Sequence, residues 1–152
     1  MDKNKMIDHL NDLLKVDHDA INSYEEAING IDIEHVRGKL REFQSDHRTH
    51  VIKLSEAIRQ MGGQPHEKTS IKGFFQKSMT AISAKMGNEG AIRAMEANEK
   101  LVNGAYAKAA KESWPPDLLN LVQHNFDDEK RHLSFLQQCI TQRVWDQQAA
   151  HP

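Results

Sequence analysis

Residues 126–135 read FDDEKRHLSF, with Glu129 and His132 three apart and apolar residues on either side. On a helix both side chains project from one face. The pair therefore either decorates a solvated surface or points into a core. A Glu-x-x-His alone is weak, because short motifs recur by chance. Residues 44–53, QSDHRTHVIK, lie 82 positions earlier and set Asp46 against Asp128, His47 against Glu129 and His50 against His132.

The same offset aligns apolar positions along most of the chain. Leu10 falls on Ile92, Leu13 on Met95, Tyr24 on Tyr106, Leu40 on Val122, Leu54 on Leu136 and Ile58 on Ile140, while Asp17 falls on Glu99. The register is imperfect, since Val16 meets Asn98 and Phe43 meets Asn125. A repeat of this length, made of helical periods, implies two related helical hairpins.

Breakers divide the intervals. Asn29-Gly30, Gly62-Gly63 with Pro65, Gly87-Asn88 and Trp114-Pro115-Pro116 separate segments rich in strong helix formers. Helices are expected over about residues 4–29, 33–61, 70–86, 88–112 and 116–144. Pro115 and Pro116 are expected to open the last long helix, and Gly62-Gly63 to close the second. The fold class is all-α, a single domain over 1–152, with hairpin one at about 4–61, a crossover at 62–87 and hairpin two at 88–144.

Each long helix carries an apolar stripe that is interrupted near its middle. Asp17 breaks the stripe Leu10, Leu13, Leu14, Ala20, Ile21, Tyr24; His47 and His50 break Val36, Leu40, Phe43, Val51, Leu54, Ile58. Glu99 does so between Met95 and Val102, and Glu129 with His132 between Val122 and Leu136. In an antiparallel bundle these interruptions meet at one level. A buried carboxylate without partners costs several kcal/mol, so such a layer must be neutralised by protons, by its own members or by a cation. Asp17, His47, His50, Glu99, Glu129 and His132 are therefore candidate metal ligands for one or two ions, with iron or zinc suited to oxygen and imidazole donors. The competing interpretation is a metal-free network of carboxylate–imidazole hydrogen bonds. Asp46 and Asp128, each four before a motif histidine, form a second-ranked set off the stripe centre.

Composition narrows the partners. The 152 residues carry 20 basic and 22 acidic side chains, a net charge of −2, so no global field favours nucleic acid. The run RGKLR, without interleaved aromatics, is expected to be a solvated face. Cys139 is the only cysteine, which excludes an intrachain disulfide and fits a reducing, cytoplasmic setting. No apolar run is long enough to span a bilayer. Residues 71–86 place Ile71, Phe74, Phe75, Met79, Ile82 and Met86 at helical spacing opposite Lys72, Lys77 and Lys85, an amphipathic crossover expected to cap the bundle, with membrane-surface binding as its alternative.

At these residues the chain resembles the ferritin-like superfamily, and LNDLLKVDHDAINSYEEAI, IRQMGGQP and SWPPDLL are most similar to its small bacterial domain family of unassigned function. The resemblance implies a four-helix bundle of two hairpins joined by a long crossover. It also implies that Glu99 is the third-helix carboxylate and Glu129 with His132 the fourth-helix motif, matched by Asp17 and His50 in the first half. Tyr24 and Tyr106, each seven residues after a carboxylate, match a tyrosine of bacterioferritin-like members. His47 stands where the resemblance expects a bridging glutamate, and Asp17 is shorter than the usual glutamate. An unequal pair, one ion or zinc then competes with a symmetric di-iron site. The functions implied are metal-dependent redox chemistry or metal handling; the alternative is a metal-free module serving stress physiology or protein binding. A homo-oligomer is compatible with either.

Overall fold

A computed structural model describes residues 1–67 and 79–149. Helix α1 spans Lys3–Gly30, α2 Glu34–Gln60, α3 Gly87–Ala110, α4 Pro116–Thr141 and α5 Val144–Ala149, with a 3-10 turn at Ala84–Met86 before α3. No strand occurs among the described residues.

Local chemistry sets the helix ends. The Asp2 side chain accepts the Lys5 amide at 2.8 Å and caps α1. Helix α2 closes on Gly62, whose φ of +80° places it in the left-handed region. The Gly62 amide donates to Arg59 O at 2.9 Å and the Gly63 amide to Ile58 O at 2.9 Å, the two bonds of a Schellman closure. Pro116 occupies the first position of α4, where a missing amide proton costs nothing.

The four long helices form a bundle in which α1 packs on α2 and α3, and α4 on α3 and α2. Cross-helix bonds give the directions. Tyr24 pairs with Glu99 and Tyr106 with Asp17, so α1 and α3 run antiparallel. His50 pairs with Asp128 and His132 with Asp46, so α2 and α4 do as well. Each bond in these pairs maps onto the other under the sequence offset, which is the pseudo-two-fold that the repeat implied.

The core divides into two apolar halves. One gathers Tyr24, Ile28, Leu40, Phe43, Ile92, Met95 and Leu136; the other gathers Leu10, Leu14, Leu54, Ile58, Val102, Tyr106 and Val122. Between them lies a polar layer.

Two expectations need correction. A helix over 70–86 does not extend through its described end: residues 79–83 are irregular and only 84–86 make a turn. Asn98 accounts for this, because its side chain accepts from the Thr80 amide at 2.7 Å and donates to Thr80 O at 2.9 Å, occupying backbone groups that a helix would use. Ile82 still buries into the core, and Met79 packs against it, whereas Met86 is 40% exposed. Ile71, Lys72, Phe74, Phe75 and Lys77 lie outside the described residues. The last helix stops at Thr141 rather than running to 144, because Arg143 adopts φ 47°; the turn carries Val144 back into the core and Trp145 against it.

Candidate metal centre

The six residues that interrupt the apolar stripes meet in the polar layer, and none is more than 1% exposed. Helix α1 brings Asp17, α2 brings His47 and His50 one turn apart, α3 brings Glu99, and α4 brings Glu129 with His132. They arrange into two overlapping four-residue groups, each with one donor atom per residue and all donors within 4.8 Å: Asp17, His47, His50 and Glu129 in one, and His47, Glu99, Glu129 and His132 in the other. His47 and Glu129 belong to both. These two residues exchange under the pseudo-two-fold, so the site is asymmetric in setting an imidazole against a carboxylate there, and Asp17 against the longer Glu99.

Asp17 Oδ1 accepts from His47 Nδ1 at 2.6 Å and from His50 Nδ1 at 2.9 Å. His47 Nε2 faces Glu99 Oε1 at 3.3 Å and Glu129 Oε2 at 3.3 Å. Glu129 Oε1 lies 3.3 Å from His50 Nδ1, and Glu129 Oε2 lies 3.4 Å from His132 Nδ1. Both Glu129 oxygens and His132 Nδ1 nevertheless lack a hydrogen-bond partner. Buried polar atoms are normally satisfied, so three unpartnered atoms in one layer need a cause.

Burial opposes charge on every group here, and the neighbours overturn it for most. Burial would raise the Asp17 carboxyl, but the His50 charge and hydrogen bonds from His47 and His50 hold it down at about 2. Glu99 is likewise held low, against burial, by His132 and His47. The imidazoles shift oppositely: burial is outweighed by Asp17 and Glu129 at His50 and by Asp46, Glu129 and Glu99 at His132, taking both to about 10. His47 is also raised, against burial, chiefly by Glu129 and Asp17. Glu129 differs, since burial and the Glu99 charge push it up despite His47. Protons on the imidazoles thus balance the charge of the carboxylates.

Each motif histidine is held from behind by the opposite hairpin. His132 Nε2 bonds Asp46 Oδ2 and His50 Nε2 bonds Asp128 Oδ2, both at 2.8 Å, leaving each Nδ1 aimed inward. Arg131 links the two aspartates at 2.9 and 3.1 Å. Asp46 and Asp128 thus stand behind the histidine rings, outside the two four-residue groups, where their bonds fix the ring orientation. Tyr24 donates to Glu99 Oε1 and Tyr106 to Asp17 Oδ2, both at 2.5 Å. Each tyrosine serves the carboxylate of the other hairpin, not the one seven residues before it.

Two asparagines complete the surroundings without having been picked out as site residues. Asn103 Nδ2 donates to the carbonyls of Glu99 at 2.9 Å and Glu129 at 3.0 Å, and buried Asn125 donates to Tyr106 at 3.3 Å. For Asn125 the signal was present as the mismatch with Phe43 in the repeat; Asn103 carries none. Cys139 is buried outside the layer, its thiol pushed up to about 11 by burial. His35, His66 and His124 are exposed and His9 and His18 intermediate, all outside the layer.

Residues 5–112 match the protein family described as a domain of unknown function, DUF2383. No curated protein matches the chain. Among solved structures, a two-domain protein from Anabaena variabilis containing DJ-1/ThiJ/PfpI-like and ferritin-like domains superposes with a TM-score of 0.76 at 13% identity, over 95% of this chain. The chain spans only 38% of that protein. A dodecameric thioferritin, the bacterioferritin-related protein from Bacteroides fragilis, superposes with a TM-score of 0.77 at 17% identity, over 100% of this chain and 94% of its own. At such identities the likeness establishes the fold, which is a ferritin-like four-helix bundle. No helix among the described residues is long and apolar enough to cross a membrane.

Proposed function

Since this chain belongs to the family described as a domain of unknown function, DUF2383, we propose that its role is metal handling: it takes one or two transition ions, iron or zinc, into the bundle core through Asp17, His47, His50, Glu99, Glu129 and His132. The observation that carries this reading is the buried Glu129 carboxylate, both of whose oxygens, like His132 Nδ1 beside it, have no hydrogen-bond partner. A carboxylate–imidazole donor set suits iron and zinc, and bound metal would give these atoms partners. A bound iron would supply one-electron chemistry, whereas zinc would supply none.

The chain itself contributes orientation and exclusion of water. Asp46 and Asp128 fix the ring planes of His132 and His50, while Tyr24 and Tyr106 hold one oxygen each of Glu99 and Asp17. The apolar halves above and below keep the layer dry. The ferritin-like neighbours, one named a thioferritin, lend support from fold alone. The dodecameric neighbour also prompts us to propose self-association, which light scattering in solution would test.

A second reading, a metal-free structural network, is favoured by the short bonds from His47 and His50 to Asp17. Elemental analysis of protein purified without a histidine tag, combined with Glu129→Leu, separates the two. Metal handling predicts iron or zinc retained by the wild type and lost by the variant. The network predicts no metal and a loss of about 1–3 kcal/mol as His132 and its neighbours are stranded. Wild type free of metal and unmoved in denaturation by ferrous iron or zinc would overturn our reading.

A further inference from the structure

Resting on that reading, we propose that His47 joins two unequal metal positions: its Nε2 completes a tetrahedral position with Glu99, Glu129 and His132, and its Nδ1 faces a second position with Asp17, His50 and Glu129.

The donor atoms sort without conflict. Glu99 Oε1, Glu129 Oε2, His132 Nδ1 and His47 Nε2 face one another on one side. Asp17 Oδ1, His50 Nδ1, Glu129 Oε1 and His47 Nδ1 do so on the other. No atom is used twice. His47 and Glu129, which the pseudo-two-fold exchanges, are the only residues with an atom in each set.

Spacing distinguishes the two positions. Donors about 2.0–2.1 Å from a tetrahedral zinc ion are separated from one another by about 3.3–3.4 Å, the edge of the tetrahedron. In the first set, His47 Nε2 lies 3.3 Å from Glu99 Oε1 and from Glu129 Oε2, and His132 Nδ1 lies 3.4 Å from Glu129 Oε2 and 3.5 Å from Glu99 Oε1. These separations already fit an ion. The second set is drawn together by hydrogen bonds, with Asp17 Oδ1 at 2.6 Å from His47 Nδ1 and 2.9 Å from His50 Nδ1, and it must spread before an ion enters. The first position therefore fills before the second.

A carboxylate at position 47 would offer two oxygens on one carbon. An imidazole offers nitrogens on opposite sides of a rigid ring, each able to donate its lone pair only after its proton leaves to solvent. A first ion would be held by the bare Nε2, whose proton would pass to solvent. A second would be held by the bare Nδ1, whose proton would likewise pass to solvent.

The test is a zinc titration of chelator-stripped, 15N-histidine-labelled protein, followed by ring-nitrogen NMR, with His47→Gln used to assign the His47 signals. The expected result is that the first equivalent shifts His47 Nε2 and His132 Nδ1, and the second shifts His47 Nδ1 and His50 Nδ1 with loss of the remaining His47 ring proton. His47→Gln should bind at least one zinc fewer while keeping wild-type helical circular dichroism; should it misfold, the number of zinc ions the wild type binds and the His132 and His50 signals, assigned from His132→Gln and His50→Gln, still report the order of filling. Two zinc ions bound with the His47 Nδ1 proton retained, first filling at His50, or saturation at one ion would each overturn the inference while leaving metal handling intact. Failure of the wild type to bind zinc or iron would instead remove the reading beneath it.

Discussion

Tyr106 shows what a single residue contributes to this layer. Its hydroxyl is fully buried, donates to Asp17 Oδ2 and accepts from Asn125. Tyr106→Phe removes a hydrogen bond to a charged acceptor, a loss of about 1.5–3 kcal/mol, placed at the lower end because His47 and His50 still hold Asp17. Urea denaturation in chelator measures it. The identity of the six layer residues was legible in the chain because a polar side chain on an apolar stripe is conspicuous. The partner of each tyrosine was not, since the helical period places Tyr24 near Asp17 and Tyr106 near Glu99 along one helix and says nothing about which atom lies across the interface. The outward use of Asp46 and Asp128 was hidden for the same reason: it depends on the rotation of α2 against α4.

At the scale of the elements, the helix ends follow backbone rules that any sequence reader can apply, and the crossover does not. Gly62 is a clear case, with φ +80° and no atom nearer than Lys3 Nζ at 4.0 Å to where a Cβ would stand. Gly62→Ala therefore costs backbone strain and little else, about 1–2 kcal/mol, readable as a lowered denaturation midpoint with an unchanged urea slope. The crossover defeated its pattern because Asn98 captures Thr80 from another helix. At the other end of the same connection, Asn11 donates to Gln64 O at 3.2 Å and accepts from the His66 amide at 2.8 Å. Amphipathic spacing registers the burial of Ile82 but not a side chain that replaces helical hydrogen bonds.

For the whole molecule, the buried layer couples stability to pH. Asp17, held at about 2 in the fold against a usual 3.8, contributes stability that is present above about pH 4 and is lost as pH falls through 2. His50 and His132, raised from 6.5 to about 10, contribute stability that is complete below about pH 6.5 and is lost as pH climbs toward 10. Metal-free protein should thus be most stable between about pH 4 and 6.5 and weaken on the alkaline side, as seen by denaturation in chelator. An ion must displace the imidazole protons, so stabilisation by added zinc should grow over the same alkaline interval. A metal effect that shrank between about pH 6 and 8 would contradict the assignment of imidazoles as ligands.

The order of apolar and polar residues along this chain determined the four long helices, the two-hairpin repeat and the level at which six ionisable side chains enter the core. These are consequences of periodicity, and periodicity is written in one dimension. Tertiary structure alone decided that Tyr24 reaches Glu99 rather than Asp17, that Asp46 and Asp128 stand behind the histidines, and that His47 turns one nitrogen to each half of the layer. Those outcomes turn on the rotation and axial offset of one helix against another, which are set by the packing of many side chains at once and leave no mark at the positions they govern.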